Sequence, residues 1–304
     1  MRKVLVTGGA GFVGSHLVEE LIGRGYEVVV FDNLSTGSLK NLEFVSECDF
    51  IHGDIRNFET VKSAMIGCDT VLHMAALPRI TPSFENPLEG FSVNVTGTAN
   101  VLEAAKQLGI KYVLYPGSSS LFADTTIFPT PPDAPKMPSK SPYSFQKLLA
   151  EYLCRHYHRM YGLNIATMRL FNVFGDRMPS SGSYAIVAGI FLNQKKEGKP
   201  LTIKGDGTQR RDFTYVKDIV KSMVYGAERR ITGTFHLGTG KNHSVNEIAY
   251  KIDPHGQREY LPLGTGDYPV TLADNIKARN ELDFYPTVDI MKWLDKQLDK
   301  QLVG

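Results

Sequence analysis

The chain has 304 residues, 42% hydrophobic and 22% charged, enough to bury a full core, which excludes a disordered polypeptide. Its 34 basic and 32 acidic residues are spread along the sequence for a formal net charge of +2, so no basic tract points to nucleic acid or an anionic membrane. Cys48, Cys68 and Cys154 lack paired spacing, no apolar run nears the roughly 20 residues that span a bilayer, and Arg2-Lys3 leads straight into an apolar strand, so a reducing cytoplasm is expected.

Val4 to Val6 is a short apolar run that meets glycines. Gly11 to Ile22 then carries Phe12, Leu17, Val18 and Leu21 at helical spacing, which predicts strand, turn and helix. Tyr26 to Phe31 is apolar apart from Glu27 and ends on Asp32-Asn33, as a parallel strand buried on both faces does. Further strands are predicted at Phe50 to His52, Thr70 to Met74, Lys111 to Tyr115 and Asn164 to Arg169. Helices are predicted between them at Phe58 to Met65, Pro87 to Leu108 and Pro142 to Tyr161. This alternation implies an α/β fold with a doubly wound parallel sheet.

After Arg169 the loops lengthen and shorter apolar pieces appear at Leu201 to Ile203, Thr234 to Leu237 and Tyr260 to Leu263. A smaller, partly discontinuous C-terminal lobe is expected. The predicted division gives residues 1–170 to the sheet, with 212–240 returning to it, and 171–211 with 241–304 to the smaller lobe. Pro129 to Ser141, with five prolines, reads as a surface loop.

Gly8, Gly11 and Gly14 follow a strand and open a helix, where free N–H groups and the helix dipole favour a phosphate. Glycine lets the backbone turn tightly and approach a pyrophosphate, so the sheet reads as Rossmann-type; a ligand-free glycine turn is the alternative. Asp32 lies 18 residues beyond Gly14, near the offset at which a carboxylate accepts from ribose hydroxyls. It would repel a 2′-phosphate, and no arginine adjoins it in sequence, so NAD is favoured over NADP. Asp54 is either an adenine contact or a helix N-cap.

Tyr143 and Lys147 are four residues apart on the helix that Ser141 and Pro142 start, so both side chains point the same way. A phenol with a pKa near ~10 needs about 4 kcal/mol of phenolate stabilisation to act as a base near neutral pH, and a neighbouring ammonium supplies part of it. A surface helix contact is the alternative for this pair. Ser118, Ser119 and Ser120 follow a strand at its carboxyl end, where open α/β sheets bind ligands; a capped polar loop is the other reading.

Taken together, Thr7-Gly8-Gly9-Ala10-Gly11-Phe12-Val13-Gly14, Asp32-Asn33, the serine run, Tyr143-Ser144-Phe145-Gln146-Lys147 and Arg211-Asp212-Phe213 resemble the extended short-chain dehydrogenases, specifically the nucleotide-sugar epimerases and dehydratases. The resemblance covers nearly the whole chain. It implies a triad of Ser118, Tyr143 and Lys147, since family spacing places the triad hydroxyl 25 residues before the tyrosine and four before the aromatic of a Val-Tyr-Gly motif, here Leu121-Phe122-Ala123. It further implies that Phe12, Val13, Leu34, Ser35, Ile55 and Phe171 join the cofactor site. Ala75-Ala76-Leu77 would line the cofactor, and Asn94 would order the loop carrying the serines. For the substrate it implies Ser118, Ser119, Tyr143, Asn172, Val187 and Ile203, with Arg211 clamping a diphosphate or, on the other reading, forming a surface pair with Asp212.

The implied chemistry is oxidation at C4 of a sugar, with hydride passing to NAD and returning. Dehydratases place an Asp-Glu pair directly after the triad hydroxyl, and Ser119-Ser120 stand there instead, which favours an NAD-dependent 4-epimerase of UDP-glucose, UDP-galactose or a UDP-N-acetylhexosamine. A dehydratase or reductase of the same superfamily is the runner-up, and a dinucleotide sensor without turnover is the reading from another class.

Gly264-Thr265-Gly266-Asp267 replaces the Arg-Pro-Gly-Asp of many relatives, so a second phosphate-binding arginine is missing, with Arg79 or Lys241 as substitutes. Thr271 falls where the family has a gate beside the sugar, and its small size would admit an N-acetyl group. No metal is expected: His156 and His158 lie two apart on a helix and face different ways. A homodimer through the helices containing Asn94 to Leu108 and Tyr143 to Tyr161 would follow the family.

Overall fold

Runs of β-branched and apolar residues bounded by glycine or polar turns form the strands, because their stiff side chains favour extended backbone. The computed structural model describes residues 1–43, 48–78, 80–136, 141–182 and 185–303. In chain order the first six strands are β1 (Lys3–Thr7), β2 (Glu27–Asp32), β3 (Asp49–His52), β4 (Thr70–His73), β5 (Tyr112–Ser118) and β6 (Ile165–Leu170). Then come β7 (Val173–Phe174), β8 (Leu201–Lys204), β9 (Arg210–Arg211), β10 (Thr214–Tyr215), β11 (Gly233–Leu237), β12 (His243–Ser244) and β13 (Arg258–Leu261). Seven of these form one parallel sheet in the order β3-β2-β1-β4-β5-β6-β11, a doubly wound Rossmann-type arrangement that reverses direction between β1 and β4.

The helices are α1 (Phe12–Gly23), α2 (Phe58–Ala64), α3 (Ile80–Glu85), α4 (Pro87–Phe91), α5 (Thr98–Gln107) and α6 (Pro142–Tyr161). The later ones are α7 (Val187–Lys196), α8 (Val216–Arg229), α9 (Val245–Ile252), α10 (Ile276–Leu282) and α11 (Ile290–Val303). Alternation along each strand divides the core between the two sheet faces. Val4, Val6, Val28 and Val30 pack under Leu17 and Leu21 of α1 and Ile219 and Met223 of α8. Leu5, Val29, Phe31 and Val113 pack under Val61 of α2, Val101 and Ala105 of α5, and Ala150 of α6. A separate core joins Phe191, Leu201, Ile203, Ile248 and Trp293, from α7, β8, α9 and α11. Strand β8 pairs there with β13, two residues earlier than the predicted Tyr260 to Leu263.

Three expectations need correction. The helix predicted from Pro87 to Leu108 is interrupted: between α4 and α5, Ser92–Gly97 forms a π-helical turn. The turn ends in close packing, since a Cβ on Gly97 would come 2.5 Å from Ile55 Cδ1. Strand β5 does not stop at Tyr115 but runs on to Ser118. Its pairing with β4 ends at Leu114 while pairing with β6 continues, so Pro116 sits where one side of the strand needs no N–H donor. The proline-rich stretch is also not a plain surface loop, because Thr130 and Ala134 are buried and the Thr130 N–H donates to the Leu272 carbonyl.

Candidate active site

The carboxyl ends of β1, β2, β4, β5 and β6 open into one cavity of about 580 Å3, and segments around α7, β8, β9 and residues 264–268 form its opposite wall. Backbone geometry at the first turn demands glycine. Gly8 has a φ of +68°, and a Cβ there would stand 2.6 Å from the Ala75 nitrogen. A Cβ on Gly14 would collide with the Gly8 carbonyl oxygen. Gly11 caps α1 without a side chain, and Gly8, Gly11, Phe12, Val13 and Gly14 all line the cavity. This cradle admits a pyrophosphate at the helix start.

At the end of β2, Asp32 accepts from the N–H groups of Ala10 (2.9 Å) and Leu34 (2.8 Å), which fixes its carboxylate on the cavity wall. Asn33 donates to Asp54 over 2.8 Å, and both line the cavity with Ser35 and Ile55. Asp54 is not the cap of α2; Asn57 is, accepting from the Thr60 N–H. Arg56, which sequence neighbours gave no reason to count, enters this corner and grips Asp54 at 2.6 Å, holding that carboxyl down at about 2.

Ser141 caps α6 by accepting from the Ser144 N–H, Pro142 occupies the first turn, and the helix then presents Tyr143 and Lys147 to the cavity. The Lys147 ammonium donates to the Pro116 carbonyl over 2.8 Å and lies 4.7 Å from the Tyr115 ring centroid. Burial lowers its pKa to about 8. Ser118 Oγ accepts from the Ser120 N–H (3.2 Å) and meets Ser120 Oγ at 2.9 Å. Ser118, Ser119 and Ser120, together with Ala75, Ala76 and Leu77, line the same space.

On the far wall are Asn172, Val187 and Arg211. Arg211 pairs with Asp267 at 3.4 Å, not with Asp212, and its guanidinium lies 4.8 Å from the Tyr268 ring centroid. Asp212 is buried instead, accepting from the N–H groups of Thr239, Gly240 and Ala273, and burial raises its pKa.

Five predicted site residues stand behind the wall rather than on it. Leu34 turns its side chain into the core beneath β2 and offers only its N–H to Asp32. Asn94 does not hold the serine loop: its amide exchanges hydrogen bonds with both backbone groups of Leu77 and donates to Gln146 Oε1. Phe171 packs against His236, and Ile203 belongs to the second core. Thr271 is buried, its hydroxyl accepting from the Asp212 N–H and from the amide of Asn172, which stands between it and the cavity. Lys241 is exposed and away from the lining, and Arg79 lies outside the described residues. No motif or spacing pointed to Lys204, Gln209 or Tyr268, which the folding of the smaller lobe brings to the lining. Among the described residues no three His, Cys, Asp or Glu side chains converge as a metal site requires, and no helix is long and apolar enough to cross a membrane.

A family model for the NAD dependent epimerase/dehydratase family matches residues 4–238. The chain belongs to that family. NAD is accordingly the cofactor of this epimerase/dehydratase-family enzyme, and the glycine cradle with Asp32 beside it fits that group. The enzyme is similar to a putative UDP-glucose 4-epimerase from Methanocaldococcus jannaschii, with 32% identity over 300 residues covering 96% of each chain. It is equally similar to UDP-glucuronic acid decarboxylase 1 from Arabidopsis thaliana, 32% identical over 305 residues covering 97% of this chain and 69% of the plant one. Among solved structures it resembles UDP-glucose 4-epimerase with UDP-glucose from Thermotoga maritima, at a TM-score of 0.92 and 30% identity, covering 99% of this chain and 100% of that one.

Proposed function

We propose that this enzyme epimerises a UDP-hexose at C4 through a transient 4-keto sugar. The observation that carries the reading is the convergence of Ser118, Tyr143 and Lys147 with the glycine cradle on one cavity, where Ser119 and Ser120 stand beside Ser118 in place of carboxylates. NAD, when bound against the turn from Gly8 to Gly14, supplies a hydride acceptor and donor at C4.

Ser118 would hold the C4 hydroxyl, and Tyr143, as the phenolate, would take that hydroxyl's proton during the oxidation that bound NAD would support. Lys147 lies one helical turn along α6 and favours the phenolate by its charge. With the ketone turned to present its other face for reduction, Tyr143 would give the proton back to the C4 oxygen. The product has the mass of the substrate and an inverted C4. At the other end of the site, Arg211 holds the diphosphate of the nucleotide, and Asn172 and Val187 border the nucleotide-sugar.

The test is to incubate the purified enzyme with UDP-glucose, UDP-galactose, UDP-N-acetylglucosamine and UDP-glucuronate and to resolve products by NMR and mass spectrometry. Conversion without mass change and without net NADH is expected. Loss of water or of carbon dioxide, or net formation of NADH, would replace this reading with dehydration, decarboxylation or simple oxidation.

A further inference from the structure

Arg211 is the buried cation at the nucleotide end of the cavity, but its charge is already shared with the Asp267 carboxylate at 3.4 Å and the face of Tyr268. A nucleoside diphosphate ester carries two negative charges near neutral pH, so Arg211 alone leaves an excess of negative charge on that wall. Two other cations of the lining are committed elsewhere. Arg56 is held by Asp54 at the corner below β2, and Lys147 donates to Pro116 beneath the serines. Lys204, the last residue of β8, faces the same wall as Arg211 and has no ion-pair partner among the described residues.

Gly264 fixes the relation between these groups. A Cβ built on Gly264 would meet Asp267 Oδ2 at 3.4 Å and Lys204 Cδ at 4.0 Å, with nothing else within 4 Å. The stem of Lys204 and the carboxylate of Asp267 therefore flank one open gap, and Arg211 grips Asp267 through its other oxygen. A side chain larger than glycine at position 264 would extend from a Cβ already in contact distance of the Lys204 stem and the Asp267 carboxylate.

We propose that Lys204 is the second diphosphate-binding cation of this enzyme, its ammonium donating to a phosphoryl oxygen across the gap over Gly264 while Arg211 takes the neighbouring phosphate. The inference rests on the nucleotide-sugar reading above. An ammonium on a flexible stem suits this position, because a point charge engages a phosphate without the planar alignment a guanidinium requires.

The test compares Lys204→Met and Lys204→Arg with the parent enzyme, titrating UDP by calorimetry and uridine by NMR. Lys204→Met is expected to weaken UDP by about ten- to hundredfold, the cost of losing a hydrogen bond to a charged group. Its affinity for uridine should stay within about twofold of the parent, and Lys204→Arg should keep UDP affinity within about fivefold. Equal weakening of uridine and UDP would overturn the proposal by placing Lys204 on the nucleoside, and unchanged UDP binding would overturn it outright. Failure of the parent enzyme itself to bind UDP would instead overturn the nucleotide-sugar reading.

Discussion

The ammonium of Lys147 is anchored by the carbonyl of Pro116, 2.8 Å away, at the point where β5 has lost β4 as a neighbour and its backbone is free to accept. Burial sets its pKa at about 8, so on the proposed mechanism the charge that would favour a Tyr143 phenolate is present below that pH and lost above it. The turnover rate should fall on the alkaline side with an apparent pKa near 8. Lys147→Met should lower kcat by about 100-fold or more and abolish that limb. A rate profile of the parent enzyme that stays level well above pH 8 would refute the assignment.

Glycine at position 14 is fixed by backbone, since the atom its Cβ would strike is the Gly8 carbonyl oxygen and no side chain can yield. Gly14→Ala should destabilise the fold by about 1–3 kcal/mol and weaken NAD binding at least about tenfold. Gly23→Ala, at the other end of α1 with open space around it, should be neutral or stabilising by up to about 1 kcal/mol. Thermal denaturation and fluorescence titration with NAD measure both; matched behaviour of the two variants would contradict the steric argument.

Glu151 and Arg169 form a buried bidentate pair, with contacts of 2.9 and 2.6 Å, and Arg169 also donates to the Pro132 carbonyl. Arg169→Met removes one partner and leaves a carboxylate facing, among the described residues, the cations of Lys136 at 3.7 Å and Arg155 at 3.9 Å. Its cost should be about 3–5 kcal/mol in urea unfolding. Replacing both residues with methionine should recover part of that loss, because the fully buried carboxylate is gone and only the partly exposed Lys136 is left without its partner. A double variant no more stable than the single one would show that packing, rather than charge, dominates here.

His73 and His236 are buried as neutral rings, and burial pushes each down to about 3. Thr98 already donates its hydroxyl to the Asn94 carbonyl, so the His73 Nε2–H donates to Thr98 and its Nδ1 accepts from Thr7. His236 donates from Nδ1 to the Thr130 carbonyl and accepts from Arg169 at Nε2. In the unfolded chain both take a proton near pH 6.5, while the folded protein takes neither until about pH 3. Stability should therefore fall as pH drops through that window, by about 1.4 kcal/mol per pH unit for each histidine. His73→Gln should make the slope of unfolding free energy against pH shallower by one such share. An unchanged slope would mean that His73 titrates alike in both states.

Local patterns decided the architecture of this protein. Continuous apolar runs, glycine at 8, 11 and 14, and the Ser141-Pro142 start of α6 each act through neighbouring backbone, so strand, cradle and helix were readable without coordinates. The family-spaced choice of Ser118, Tyr143 and Lys147 fell on residues that share one cavity for the same reason, since each sits at a fixed offset from an element end. What the sequence left open were contacts between distant segments. Only the folding of the smaller lobe itself, in which β8 pairs with β13, turned Arg211 to Asp267, drew Lys204 beside Gly264 and withdrew Thr271 behind Asn172, because those contacts join segments far apart in sequence and no local period reports them.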